Sequence, residues 1–390
     1  MISEKTVVVT ALGSTQTLAW GSSYYLPAIL GAPIAAALGL SPSVFFGIFS
    51  LALLLSAALG PAVGKIIDHH GGRGMLVASN LVLALGLALL ARAQGIVGLV
   101  VAWIPIGAGI TMGLYDPAFA TLTRLYGREA RKPITGITLI AGFASTIGWP
   151  LSAFMLHHYG WREACLMWAA LNLFVCAPVN WLLIPAAPPH PPLPRQSAEG
   201  DTAEPPRGAM IVLALFFSAA WFVTGAMAAH LPRLLEAAGA TPTEAVAAGA
   251  LVGPAQVAAR LVEFGLLRRL HPLISARIAA VMHPLGALAL GLFGPFGVAA
   301  FALLHGAGNG MITIAKGTLP LAIFGPHGFG LRSGVLSAPA RITQSAAPFL
   351  FGLLLDSVGV GAVALSAGLM LAAFASLFAL RSRAEAAAPI

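Results

Sequence analysis

The chain has 390 residues, of which 58% are hydrophobic and only 9% are charged, and its mean hydropathy is +0.89. Soluble domains carry about 25% charged residues, so the composition excludes a soluble protein and favours one that spans a membrane. The formal net charge is +8, and the positions of the Lys and Arg residues explain it without a nucleic-acid partner.

Apolar stretches long enough to cross a bilayer recur along the whole sequence, which is typical of a polytopic helical membrane protein. The first stretch leads into more apolar sequence, so we interpret it as a transmembrane helix and not as a cleaved signal peptide. The hydrophobic pattern predicts twelve spans, at 6–30, 43–64, 75–93, 97–124, 134–157, 162–184, 209–235, 244–267, 273–293, 297–324, 332–356 and 360–380.

One long polar segment, rich in proline, separates the sixth span from the seventh, and such a composition is typical of a flexible linker. We therefore predict a six-helix bundle over residues 1–184, a cytoplasmic linker over 185–208 and a second six-helix bundle over 209–390. The predicted fold class is an all-α membrane protein with two pseudo-symmetric six-helix bundles.

The Lys and Arg residues predict the orientation of the chain. Fifteen of the 21 fall in segments on the same side of the membrane as the N-terminus, and three fall on the other side. Because cytoplasmic loops carry the excess of Lys and Arg, we expect both termini in the cytoplasm. The high alanine and arginine content is typical of a GC-rich bacterium, so we expect a multi-pass protein of the bacterial inner membrane.

The two predicted bundles resemble each other in sequence. The tripeptide Gly-Ala-Gly occurs at 107–109 and at 306–308, and each copy is followed by a methionine, Met112 or Met311. Further matches at a constant offset of 198 are Gly127, Gly136 and Pro150 with Gly325, Gly334 and Pro348. A duplicated six-helix unit is typical of transporters whose binding site lies between two halves.

Five charged residues lie away from the ends of the predicted spans: the cations Arg260, Lys316 and Arg341 and the anions Asp116 and Glu263. A charge at the bilayer centre costs about 2.5–3.5 kcal/mol, so such residues face the protein interior or a water-filled path. At 1.5 Å per residue, all of them except Glu263 lie about 12–14 Å from the inner helix ends, in one layer. The excess of cations predicts a site for a small organic anion, with Arg offering a fork and Lys a point charge to a carboxylate.

Other polar residues share helix faces with these charges. Gln256 lies one turn before Arg260, and His305, Asn309 and Ile312 lie on the face of the tenth span that ends at Lys316. The predicted substrate-binding residues are Arg260, Lys316, Arg341, Asn309, Gln16, Trp20, Tyr24 and Gln256. The predicted coupling or salt-bridge residues are Asp116, Glu263 and His305.

Several of these residues have alternative interpretations that the sequence leaves open. Glu263 either couples transport or neutralises Arg260 or Arg268. Asp116 either pairs with Lys316 in the empty carrier, or is a helix-packing counterion, or marks a backbone kink at the following proline. His305 is an interior hydrogen-bonded histidine or a proton carrier, while Trp20 and Tyr24 contact substrate or serve packing and the membrane interface.

The loop after the second span, Gly64-Lys-Ile-Ile-Asp68-His-His-Gly71-Gly72-Arg73, resembles the G-x-x-x-D-R-x-G-R-R loop of the major facilitator superfamily. It departs from that pattern at His69, where the family usually has arginine. The resemblance covers the whole chain, because the span count and central linker also fit. It implies that Gly64, Asp68, Gly71 and Arg73 form a conformational latch and not a substrate site.

Within the superfamily, the chain looks most like the monocarboxylate and oxalate/formate-type carriers and their bacterial relatives. The residues that carry this likeness are WGSSYYLP at 20–27 and GPAQVAARLVEFG at 253–265. The resemblance implies that Arg260 binds the substrate carboxylate and that Arg341 is a second cation. The first span lacks the lysine of the animal carriers, and Gln256 replaces their aspartate, so proton coupling of their kind is not implied.

These observations predict a secondary active transporter for a small organic anion, a mono- or dicarboxylate, that works by alternating access. We expect a monomer in the lipid bilayer, with a coupled proton left open and no nucleic-acid partner. The chain has no GxxxxGK[ST] loop, no Ser/His/Asp triad and no metal-ligand pattern, so we expect no enzyme activity, cofactor or metal. The alternatives are a proton-driven drug or metabolite efflux antiporter, suggested by GFASTIGWP at 142–150, and a non-transporting membrane sensor.

Overall fold

The computed structural model describes residues 3–186, 208–265, 271–324 and 329–380. Every regular element in these ranges is a helix, which confirms the predicted fold class. The chain divides into two compact units, residues 1–194 and 195–390. Apart from its two ends, the predicted linker at 185–208 lies outside the described residues, so its boundaries stay a prediction.

The described part of the first unit contains ten α-helices. They are α1 (Glu4–Ser22), α2 (Leu26–Ala37), α3 (Pro42–His70), α4 (Arg73–Ala91), α5 (Gly95–Gly113), α6 (Tyr115–Tyr126), α7 (Arg131–Ala141), α8 (Ala144–Tyr159), α9 (Trp161–Leu171) and α10 (Ala177–Leu183). A 3-10 turn (Gly127–Ala130) precedes α7, and a π-helical segment (Asn172–Cys176) joins α9 to α10.

The described part of the second unit contains seven α-helices. They are α11 (Ala209–Ala237), α12 (Pro242–Ala250), α13 (Val252–Gly265), α14 (Pro272–Phe293), α15 (Val298–Phe324), α16 (Phe329–Val358) and α17 (Val363–Ser376). Short 3-10 turns join α14 to α15 and α16 to α17.

Nine segments of the described chain are long and apolar enough to cross a membrane. Two of them, Pro272–Lys316 and Leu336–Ala379, are 45 and 44 residues long, and each contains two consecutive helices. Counting two crossings for each of these two segments raises the total from nine to eleven. The segment formed by α1 and α2 adds one more, so the total is consistent with the twelve predicted spans.

Three of the spans are broken four or five residues before a proline. The breaks fall after Ser22, Gly113 and Ala250, and the prolines are Pro27, Pro117 and Pro254. Proline has no N–H and its ring clashes with the carbonyl four residues earlier, so the helical ladder is interrupted there. Each of these three spans is thus divided into two shorter helices. The pairs are α1 and α2, α5 and α6, and α12 and α13.

The repeated Gly-Ala-Gly has the same packing role in both units. A Cβ on Gly107 of α5 would lie 2.7 Å from the Ala52 carbonyl oxygen of α3, and one on Gly306 of α15 would lie 2.6 Å from the Val252 oxygen of α13. The second glycine of each copy faces the other neighbour, since Gly109 meets α4 and Gly308 meets α14. Glycine at these positions lets one helix lie close to two others.

Candidate functional site

The eighth span presents two predicted site residues on α13. Arg260 is 6% exposed, and its Nη2 donates a hydrogen bond of 3.2 Å to Gln256 Oε1 one turn earlier. A Cβ on Gly310 of α15 would lie 2.6 Å from the Gln256 carbonyl oxygen. The close approach of α15 therefore fixes the turn that carries Gln256, and Gln256 in turn orients the Arg260 guanidinium.

Glu263 does not neutralise Arg260 in this structure. Its carboxylate is 7% exposed and has Ser275 of α14 as a hydrogen-bonding neighbour. Within the described ranges, no ion pair joins Glu263 to Arg260. The alternative partner, Arg268, lies outside the described residues. Glu263 therefore belongs to the contact between α13 and α14.

The two other predicted cations lie on α15 and α16, and both are half-buried. The Nζ atom of Lys316 lies over the ring of Trp221 on α11, 4.9 Å from its centroid. A cation over an indole face is attracted by the ring quadrupole, which lowers the cost of a charge in an apolar helix. The partner of Lys316, Trp221, was not among the residues predicted from the sequence.

The polar face predicted on the tenth span lines a small cavity. His305, Asn309 and Ile312 contribute to its wall, together with Thr224 of α11 and His283 of α14. Thr224 Oγ1 lies 2.9 Å from Asn309 Oδ1. The centre of a water-sized sphere can move through about 10 Å³ of the cavity, which is roughly what one water needs.

A chain of three side chains, here called the imidazole chain, joins α14, α15 and α17. His283 Nδ1 lies 3.0 Å from His305 Nδ1, and His283 Nε2 lies 2.9 Å from Ser366 Oγ. All three side chains are buried. The sequence reasoning missed His283 and Ser366, although a histidine inside an apolar span is a signal that could have found the first.

The first unit has a counterpart made of amides, here called the amide cluster: Asn80 of α4, Asn172 of the π-helical segment and Asn180 of α10. Asn80 Nδ2 donates to Asn172 Oδ1 at 3.1 Å, and Asn180 Nδ2 donates to Asn80 Oδ1 at 2.8 Å. Thr15 and Ser22 of α1 bond to the cluster's outer members. Every side-chain nitrogen and oxygen of the three asparagines has a partner, so the cluster ties three spans together.

Gln16 has a structural task that the sequence did not predict. Its Nε2 donates a hydrogen bond to the Gly113 carbonyl. That carbonyl lies four residues before Pro117, which has no N–H to offer it. Gln16 Oε1 is buried and has no hydrogen-bond partner among the described residues. The amide nitrogen of Gln16 therefore supports the helix break, and only its oxygen remains available to a ligand.

Trp20 and Tyr24 belong to an aromatic cluster at the same break. The Trp20 ring centroid lies 5.1 Å from that of Tyr24, 5.9 Å from that of Tyr25 and 5.0 Å from that of Tyr115 on α6. Tyr24 is 5% exposed and Trp20 is half-buried. These contacts support the packing interpretation, and the half-buried Trp20 face keeps a role in substrate contact open.

Asp116 is exposed and lies in the first turn of α6, directly after the break at Leu114. A carboxylate in the first turn interacts favourably with the N-terminal end of the helix dipole. The kink that the sequence associated with the Asp116-Pro117 pair is therefore present, and it falls two residues before Asp116.

The loop between α3 and α4 makes its closest contact at a residue that the motif did not single out. A Cβ on Gly72 would lie 1.7 Å from Thr121 Oγ1 of α6, whereas no described atom lies within 4 Å of one on Gly64. Gly71 has φ +79°, which favours glycine. The Arg73 guanidinium lies 4.6 Å from the Trp181 ring centroid. The Asp68 side chain lies outside the described part of the structure.

Two helical units that carry ionisable side chains inside apolar helices define a polytopic membrane protein of the transporter class. Residues 12–303 match the Major Facilitator Superfamily, and the chain belongs to that family.

Among curated proteins, the chain is similar to monocarboxylate transporter 11 of Mus musculus, with 26% identity over 335 residues that cover 83% of this chain and 67% of that protein. It is 31% identical to human monocarboxylate transporter 14 over 147 residues, 37% of this chain and 28% of that protein. It is also 31% identical to the multidrug resistance protein MdtH of Aeromonas hydrophila over 147 residues, 36% of each chain. The last two matches thus span about a third or less of those relatives.

Solved structures show the fold. A bacterial homologue of the human lysosomal transporter Spinster, inward-facing and occupied, aligns with a TM-score of 0.71 at 15% identity over 98% of both chains. A mutant of the nucleoside transporter NupG aligns with a TM-score of 0.74 at 14% identity over 97% of this chain and 100% of that one. These likenesses concern the helical architecture alone.

Proposed function

We propose that this transporter moves a small organic anion, a mono- or dicarboxylate, by secondary active transport and alternating access between its two six-helix halves. The observation that carries the proposal is the set of three cations inside apolar helices of the second unit. Arg260 is 6% exposed on α13, and Lys316 and Arg341 are half-buried on α15 and α16.

The charge balance of the second unit favours an anionic substrate. Its predicted spans hold three interior cations and the single interior anion Glu263, which lies beside Ser275. A carboxylate would balance part of this positive charge, with a two-pronged hydrogen bond to arginine and a point contact to lysine. Substrate binding would then neutralise cations that otherwise repel each other.

The comparisons add independent support for a carboxylate. Relatives in two vertebrate species are named monocarboxylate transporters, and one of these matches covers 83% of this chain. Gln256, Arg260, Lys316, Arg341 and Asn309 of the second unit are the substrate-binding residues that we propose there. From the first unit we propose Trp20 and Tyr24 as an aromatic wall for the carbon skeleton, with the Gln16 oxygen as an acceptor.

Several parts of the mechanism are proposals of the same kind. We propose Asp116 as a coupling or salt-bridge residue, and Gly64, Asp68, Gly71 and Arg73 as a conformational latch. We place the protein in a bacterial inner membrane with both termini in the cytoplasm, and we expect a monomer. Two compact units joined once along the chain suit a rocking motion about a fixed site.

A thermal-shift screen of the purified protein tests the substrate class. The probes are L-lactate, pyruvate, oxalate and succinate, and a ligand at 100 times its Kd stabilises by about 2.7 kcal/mol. We expect at least one carboxylate to raise the Tm. Arg260→Gln should abolish the shift, whereas Arg92→Gln, at an exposed arginine, should preserve it. A screen without any shift, or an equal shift in Arg260→Gln, contradicts the proposal.

Proton-driven efflux of drugs is the second candidate, because a third of the chain is similar to MdtH. The fifth span offers one supporting feature: a Cβ on Gly148 of α8 would lie 2.9 Å from the Gly21 Cα of α1. Cationic drugs would prefer an acidic site, and the interior charges of the second unit are mainly positive. Proton-gradient-driven uptake of ethidium into inverted vesicles, without any carboxylate transport, would favour this candidate.

A further inference from the structure

We propose that the imidazole chain of Ser366, His283 and His305 is a proton-binding site that takes up one proton at His305 Nε2. The proposal deepens the function above, because it names the coupling ion and rests on that function for its link to transport. The binding of the proton itself stands on the geometry of the second unit alone.

Hydrogen-bond accounting assigns the proton on each ring. Ser366 Oγ donates its single proton to the Val363 carbonyl at 2.9 Å, so it accepts from His283 Nε2. His283 Nδ1 then carries a lone pair, and His305 must donate from its own Nδ1 across the 3.0 Å contact. His305 Nε2 is left with a lone pair and no hydrogen-bond partner in the described part of the second unit.

That lone pair is a proton acceptor. In the proposed step, a hydronium ion gives its proton to His305 Nε2: an N–H bond forms, an O–H bond breaks and a neutral water is left. The positive charge is shared with His283 through the Nδ1–Nδ1 hydrogen bond. A second added proton would have to bind His283 Nδ1, which would place two N–H groups face to face at 3.0 Å and two like charges side by side. The pair of histidines therefore takes up only one proton beyond its neutral state.

A route for that proton lies beside the chain. Both histidines line the cavity described above, and so do Thr224 and Asn309. The cavity has room for about one water, and these side chains offer it several polar partners, which is what an ordered internal water needs. A water there would connect the imidazole chain to Thr224 and to Asn309 on the polar face of α15.

Several charged groups on the surrounding helices have partners of their own. On α14, Arg277 donates to the Leu377 carbonyl at 3.1 Å, and on α15 Lys316 lies over Trp221. On α11, the buried His230 lies beside Arg233, which pairs with Asp356 of α16 at 2.7 Å. The remaining ionisable groups on neighbouring helices are Glu236 on α11, Glu244 on α12, Arg260 and Glu263 on α13, and Arg332 and Arg341 on α16. Helix α17 carries no charged residue between Val363 and Ser376.

No carboxylate of the described chain contacts either histidine, so nothing there neutralises the bound proton. Its charge adds to that of the cations in the second unit, and a carboxylate substrate stabilises both. The bound proton and the bound anion therefore favour each other's binding. One proton moves with each monocarboxylate. The reciprocity of such coupling is a thermodynamic requirement.

Histidine NMR on the purified full-length protein tests the site without any substrate. Protein labelled with nitrogen-15 in its histidines is compared with His283→Asn, His305→Gln and His230→Gln. His230 is the matched control, because it is a buried histidine of the same unit whose Nε2 bonds to the Pro348 carbonyl at 2.6 Å. We expect the signals of His283 and His305 to titrate as a coupled pair that gains one proton. Two independent full protonations, or no titration of either before unfolding, would overturn the proposal.

Proteoliposomes test the coupling. In the variants His283→Asn and His305→Gln, accumulation of labelled carboxylate driven by a pH gradient should fall by about tenfold or more. Exchange of labelled for unlabelled carboxylate should persist, which also shows that the variants are folded, and His230→Gln should accumulate normally. Variants that keep gradient-driven accumulation refute the coupling. A wild type that carries no carboxylate refutes the proposed function instead, and the NMR titration still decides the proton site.

Discussion

The two helical units both join their third and sixth spans through buried polar side chains, but the chemistry of these side chains differs. In the first unit, the amide cluster links α4 to the π-helical segment and α10. In the second unit, the imidazole chain links α14 to α17 and extends to α15. A neutral amide has no site that takes up a proton in ordinary buffers, whereas a neutral imidazole keeps one nitrogen lone pair that can accept a proton.

The difference shows which features of the duplicated unit serve packing and which serve chemistry. The amide cluster satisfies all of its own atoms, so it only holds helices together. The imidazole chain ends at a nitrogen with a lone pair and lies beside a cavity. The Gly-Ala-Gly repeat, by contrast, makes equivalent close contacts in both units. The close helix packing at the glycine repeat is therefore the same in both units. The imidazole chain and the three cations inside the spans, by contrast, belong to the second unit.

The largest expected effect comes from removing a cation of the second unit. Lys316→Gln should lower saturable carboxylate uptake into proteoliposomes by about 100-fold or more, because removing one partner of the charge pair that we propose between the Lys316 ammonium and the bound carboxylate costs about 2–5 kcal/mol. Lys65→Gln, at an exposed lysine of the first unit, is the matched control and should transport normally. Equal uptake by the two variants would show that the charge difference between the units has no role in transport.

The next effect should be equal in the two units. Gly107→Ala and Gly306→Ala each place a Cβ within 2.7 Å of a carbonyl oxygen on the adjacent helix, and each should lower stability by about 1–3 kcal/mol. Gly74→Ala and Gly291→Ala are controls, since no described atom lies within 4 Å of their added Cβ. Thermal unfolding in detergent measures all four. A loss confined to one unit would break the equivalence of the repeat.

A smaller effect should separate the amide cluster from the imidazole chain. Asn80→Leu removes two interhelical hydrogen bonds and should cost about 1–2 kcal/mol of stability, as such bonds do in membrane proteins. Because no titratable group is lost, the pH dependence of transport should not change. His283→Leu should cost a similar amount of stability but also abolish the response to a pH gradient. An altered pH profile in Asn80→Leu would contradict the structural role of the cluster.

The smallest effect concerns the surface of the first unit. Lys5 donates a hydrogen bond to Glu129 outside the spans, and this ammonium holds the pKa of the Glu129 carboxyl below its usual value. A lowered folded-state pKa stabilises the protein above the unfolded-state pKa, and that contribution is lost as the pH falls through the folded value. Glu129→Gln should therefore lower the Tm slightly at neutral pH and not at acid pH. A Tm difference that grows on acidification would contradict this assignment.

Hydrophobic periodicity was enough to predict the helical fold, because a bilayer demands long apolar helices of known length. It also placed Gln256 beside Arg260, and His305, Asn309 and Ile312 on one face, since residues four apart on a helix are neighbours. The identical glycines at 107–109 and 306–308, which indicated a duplicated unit, make equivalent close contacts in both units. Each of these features depends on spacing within a single helix.

The contacts that were missed all run between helices. Periodicity tells which face a residue occupies, but it does not tell which helix lies opposite. Trp221 is remote in sequence from Lys316, and Ser366 from His283, so neither pair could be read from spacing. The hydrogen bond of Gln16 was missed for the same reason, because its partner carbonyl is left without a helical donor only by a proline about a hundred residues later.

Counterflow in proteoliposomes tests the central claim most directly, namely that the buried arginine of α13 makes this protein a carboxylate carrier. Vesicles loaded with an unlabelled carboxylate from the thermal-shift screen are diluted into a trace of the radiolabelled compound. We predict rapid, saturable uptake by the wild type and by Arg92→Gln, and uptake lower by about 100-fold or more in Arg260→Gln. Equal uptake by all three proteins, or no counterflow with any carboxylate, would contradict the account.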